Sequence, residues 1–72
     1  MTHADKMERL EILRARLGVL REEHRDLDEA IRVMEDRAGA DMLTLRRMKK
    51  RKLALKDQIA RIEDELTPDI IA

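Results

Sequence analysis

Leucine-like residues return along this chain at alternating intervals of three and four, and that rhythm constrains its fold more than any other feature. Leu10, Leu13, Leu17, Leu20, His24, Leu27, Ile31, Met34 and Ala38 follow one another in this way. Such spacing lines one stripe of an α-helix with the a and d positions of a heptad. The second half repeats the rule with Leu45, Met48, Lys52, Leu55, Ile59, Ile62 and Leu66. Thr2 followed by Asp5 predicts N-terminal capping of the first helix. Pro68 predicts the end of the second, because proline disfavours helical geometry in the residue before it. The fold class is all-α.

Between the stripes lies "EDRAGAD", where Gly39 suits a left-handed C-terminal cap and Asp41 suits the N-cap of a new helix. The pattern predicts an antiparallel two-helix coiled-coil hairpin. Helix one covers about residues 3–37, the turn 38–41, helix two 42–66 and a tail 67–72. Antiparallel pairing sets an a position against a d position, so partner numbers should sum to a constant. A sum of 79 pairs Met34 with Leu45, Leu27 with Lys52, His24 with Leu55, Leu20 with Ile59 and Leu13 with Leu66. Flanking charges mostly agree, with Asp28 expected near Lys49, Arg14 near Glu63 and Arg16 near Glu65, while Arg21 near Lys56 disagrees. Ala38 to Leu45 is seven residues, so heptad phase runs through the turn, and one long helix paired in parallel with another chain stays open.

Seventy-two residues without cysteine or aromatic side chains must build their core from Leu, Ile, Val, Met and Ala. A core this small supplies only ~3–5 kcal/mol without staples, which points to self-association or a partner. Ile12, Val19 and Val33 share the c position of helix one, and Met42, Leu43 and Leu53 lie outside the seam of helix two. Of these, Ile12, Val19, Val33, Met42 and Leu53 are the candidate oligomer contacts, and a homo-oligomeric helical bundle, a homodimer of hairpins, is the expected assembly. The segment "PDIIA" is a loose or partner-docking tail. Apolar runs reach only two or three residues, so no membrane span is expected. The opening "MTHADKMERLEILRARLG" has no signal-peptide core, and a cytoplasmic location is expected.

The segments "HRDLDEAI" and "LRRMKKRKLALKDQI" resemble the small bacterial YdcH-like family, a domain of unknown function. The resemblance rests on His24, Leu27, Asp28 and Ile31, then Leu45, Lys49, Lys50, Lys52, Leu53, Leu55, Lys56, Asp57 and Ile59. Met48 stands where the pattern usually has leucine, and the linker lacks a proline or several glycines. The likeness implies a helical hairpin in a small cytoplasmic protein and brings no established activity.

Two polar residues interrupt the seam. His24 occupies an a position and Lys52 another, one layer away, with Asp28 within reach of the ammonium. A metal site is poorly served, since the only other histidine is His3 and zinc asks for about four ligands. His24, Asp28 and Lys52 read instead as a polar patch that fixes register and partner number at some expense of stability.

The run from residue 46 to 56 holds seven positive charges and no negative one, among them Arg46, Arg47, Lys49, Lys50, Arg51 and Lys56. Phosphate-backbone binding by this segment is the alternative function. These cations circle the helix, acids in residues 23 to 33 lie beside them, and no aromatic is present to stack on bases. Catalysis is unsupported: Ser and Cys are absent, and a two-helix hairpin has no room for a desolvated ligand pocket. The expectation is a non-enzymatic protein-interaction module, an adaptor or regulator acting through helix–helix contacts. It would self-associate and engage a protein partner, with no cofactor, metal or small-molecule substrate.

Overall fold

The computed structural model describes residues 3–67, with side chains from Met7 onward. Helix α1 spans His3–Glu35 and helix α2 spans Met42–Leu66, and no strand occurs among the described residues. Helix α1 ends two residues before the expected 37 because its last turn tightens. The Asp36 N–H donates to the Arg32 carbonyl at 3.1 Å, but the Arg37 N–H reaches only three residues back, to Met34 at 3.1 Å. Gly39 therefore sits inside the connection and does not cap α1. Its φ of 78° is left-handed, a region that glycine enters without a Cβ penalty.

Asp41 starts α2 from extended backbone. Its carboxylate accepts from the Leu43 N–H at 3.0 Å and from the Thr44 hydroxyl at 2.9 Å. Those two bonds, the Thr44 bond foremost, hold the Asp41 carboxyl below its ordinary range. At the other end the Thr67 N–H and hydroxyl both donate to the Glu63 carbonyl, at 2.9 and 2.7 Å. Thr67 itself is extended, the conformation favoured before proline. Pro68 and the tail, together with Thr2 and the Asp5 side chain, lie outside the described residues.

The helices pack against each other along the stripe that the heptads define. Leu17, Leu20, Leu55 and Ile62 form one buried cluster, with Leu13, Leu27, Ile59 and Leu66 packed on it. Ile31 and Leu45 are buried nearer the turn. The longest dimension, 56 Å, reflects helices laid side by side and not one helix of double length.

Interhelical ion pairs report the register independently. On one flank Arg21 pairs with Glu63 at 2.6 Å and Lys49 with Glu35 at 2.8 Å, numbers that sum to 84. On the opposite flank Arg9 meets Glu65 at 3.9 Å and Arg51 meets Glu23 at 3.7 Å, with sums of 74. The flanks straddle 79 by five residues on either side. These are not the charge partners that the sequence suggests for Asp28, Arg14, Arg16 and Arg21. Helical side chains lean toward the N-terminus of their own helix. In antiparallel helices that lean brings the first set together and carries the second set apart, which matches their distances.

Candidate functional site

The polar interruption of the seam is the feature most unlike an ordinary helical interface. Lys52 donates from Nζ to Asp28 at 2.6 Å, both side chains being about one-third exposed. Asp28 also accepts from Arg32, four residues on, at 3.3 Å. The hydrogen bond from Lys52 holds the Asp28 carboxyl below its ordinary value. Partial desolvation opposes this, and the charges of Lys52, Arg32 and His24 assist it. The pair is an ammonium packed along an apolar seam and discharged at its edge, as long lysine stems allow.

His24 takes no hydrogen-bonded place in that pair. Its Nε2 is buried with no hydrogen-bond partner in the protein. The structure thus joins Asp28 to Lys52 and leaves the His24 Nε2 as a separate, buried polar atom. Among the described residues no three His, Cys, Asp or Glu side chains gather in a metal-binding arrangement. His24 is polar in a dry place, which is an unfavourable position unless it excludes some other arrangement.

The candidate oligomer contacts all lie on the surface: Ile12, Val19, Val33, Met42 and Leu53 are 55–70% exposed. They do not form one patch. At 100° per residue, Ile12, Val19 and Val33 make one stripe on α1, beside the flank of Arg9 and Glu23. Met42 and Leu53, eleven residues apart, share a stripe on α2 beside the opposite flank, where Leu53 borders a depression with Asp28, Glu35 and Lys49. Met7 and Leu43 join the exposed set at 63% and 57%. Met7 precedes the first regular leucine at Leu10, so periodicity gives it no mark, whereas Leu43 is visible as an apolar residue off the seam.

The basic segment is partly spoken for. Lys49, Arg51 and Lys52 pair with Glu35, Glu23 and Asp28 of α1. Arg46, Arg47, Lys50 and Lys56 make no ion pair among the described residues and are exposed. No described helix is long and apolar enough to cross a membrane.

Comparison with known proteins gives a family and no function. No curated protein and no solved structure matches the chain. Residues 17–63 match the family described as "Protein of unknown function (DUF465)", to which the YdcH-like proteins belong. That span holds the buried cluster, the polar interruption and the turn, well over half of the chain. The chain belongs to the DUF465 family.

Proposed function

We propose that this protein is a non-enzymatic, cytoplasmic interaction module, an adaptor or small regulator that works through helix–helix contacts and self-associates. One observation carries the reading. Among the described residues, seven large apolar side chains are more than half exposed, against six that are buried. Each such side chain withdrawn from water contributes ~1.5–3 kcal/mol, so covering either stripe would add substantially to the hairpin's own core. Ile12 and Val19 lie seven residues apart and Val33 fourteen further on, past Asp26, so the three share one helix face that another helix can meet. Sedimentation equilibrium at micromolar concentration is expected to give a mass of two chains or more. A stable monomer of 8.5 kDa would contradict self-association. Cross-linked capture from the native cell then identifies any further protein partner.

The alternative, binding of a phosphate backbone through residues 46–56, draws support from the four cations that α1 leaves unpaired. It predicts micromolar affinity for nonspecific DNA or RNA that falls steeply with salt. Binding that is absent at low salt removes it.

A further inference from the structure

The turn joining the helices is the midpoint of a register that does not depend on it. Seam partners sum to 79, so the pairing is symmetric about a point beside Gly39, and the ion pairs straddle the same value. Heptad phase also passes unbroken from Ala38 to Leu45. A chain straightened through the turn would therefore meet a second straightened chain, antiparallel, in the register the hairpin already uses. We propose that two copies of this chain exchange α2, each becoming one continuous helix, to form a domain-swapped antiparallel dimer. This deepens the self-association reading by naming a second copy as the occupant and exchange as the route.

The exchange keeps the hairpin's contacts and adds new ones, against a central layer in which Asp41 faces the partner's Ala38. Every seam layer and ion pair of the hairpin reforms twice, Arg21 with the partner's Glu63 and Asp28 with the partner's Lys52. The connecting residues "DRAGAD" contain two alanines and no proline, so they are free to become helical. Met42, at 70% the most exposed large apolar residue among those described, would meet the partner's Met42, because contacts on its flank sum to 84. Arg37 and Asp41 would lie four residues apart on the new helix, within ion-pairing distance. What holds the hairpin closed is local: glycine at φ 78° and the Asp41 cap, both lost on straightening. Short connections of this kind are where swapping occurs.

The two arrangements differ in one intrachain distance. The chain has no cysteine, so Arg16→Cys and Gln58→Cys can carry nitroxides, and in the hairpin both side chains border one shallow depression. Doubly labelled chains are diluted into excess unlabelled chains, co-refolded from denaturant at high concentration, and measured by pulsed dipolar spectroscopy. The swapped dimer is expected to show an intrachain distance of ~63 Å, at 1.5 Å per residue, and the hairpin only a short one. Gly39→Ala strains the turn and favours the helix. With one such site in each chain, it should lower the concentration needed for exchange by about twenty-five-fold, the square of the roughly fivefold helix preference of alanine over glycine. Inserting two glycines after Gly39 keeps a turn possible but breaks the phase, and should abolish the long distance while circular dichroism stays helical. A short intrachain distance in the wild type and in Gly39→Ala at every concentration overturns the exchange, even where sedimentation shows a dimer of intact hairpins. Exchange that survives the insertion unchanged overturns its origin in register. Val19→Lys, by contrast, should weaken side-by-side docking and leave exchange unaffected, so the two readings fail separately.

Discussion

The seam has two stretches that differ in kind. Away from the turn, Leu17, Leu20, Leu55 and Ile62 close into one apolar cluster with four further residues packed on it. Around Lys52 an ammonium–carboxylate pair takes the place of a leucine-like layer, and a lone imidazole nitrogen stands opposite Leu55, where the two stretches meet. The first stretch supplies cohesion that any similar register could supply, because leucines interdigitate tolerantly. The second tolerates fewer registers: sliding the helices by one heptad parts Lys52 from Asp28 and sets the Asp28 carboxylate opposite Leu45 or Ile59. On this reading cohesion rests on the apolar residues of the interface and register on the polar ones.

The contrast breaks most visibly in the apolar stretch. Leu55 is 3% exposed, and Leu55→Ala should destabilise the hairpin by ~2–5 kcal/mol in urea unfolding, a large share of what a chain this size can hold. A loss under 1 kcal/mol would mean that the cluster is not the source of cohesion.

Acid should act next, and on the polar groups alone. The carboxyls of Asp28 and Asp41 are held below their ordinary range, so both favour folding once ionised. That contribution is complete above the unfolded value of about 3.9 and is lost as pH falls through the lower folded values. Thermal midpoints should fall between about pH 5 and pH 2, and Asp28→Asn should flatten part of the profile. A profile identical in the asparagine variant would dissociate Asp28 from the register pair.

Gly18 offers a milder control. It lies exposed within α1, and a Cβ there meets nothing within 4 Å. Gly18→Ala should raise stability by about 0.5–1 kcal/mol, whereas the same change at Gly39 strains a left-handed turn. Smallest of all, a double-mutant cycle on Arg21 and Glu63 should give a coupling of ~0.2–1 kcal/mol, and one on Arg9 and Glu65 close to zero. Equal couplings would contradict the lean of the side chains as the cause of the difference in distance.

The hairpin was legible because its evidence is periodic: the two stripes, Gly39 and Asp41 each announce themselves by position. The Lys52–Asp28 contact was legible for the same reason, as a charge at a seam position with an opposite charge nearby. The other ion pairs were not. Flanking positions close to the seam register suggest Arg14 with Glu63, a sum of 77, but the direction of the Cα–Cβ bond sends Glu63 to Arg21. His24 was visible as an exception in the stripe, yet only packing shows that its Nε2 has no hydrogen-bond partner. The separation of Ile12 and Val19 from Met42 and Leu53 onto opposite flanks likewise emerges only once both helices are in place.

The central claim, that His24 and Lys52 fix the register at the expense of stability, is tested most directly by a thermodynamic cycle on His24→Leu and Lys52→Leu. Leucine at either position restores an apolar layer, and at 24 it also removes a buried nitrogen without a partner, a gain of ~1–3 kcal/mol. His24→Leu should melt higher than the wild type and Lys52→Leu should gain less, because it leaves Asp28 without its partner at 2.6 Å. As His24 shares no hydrogen bond with that pair, the double variant should come close to the sum. Melting curves recorded with zinc and with a chelator should coincide. A leucine variant less stable than the wild type, or melting that shifts with the chelator, would contradict the claim.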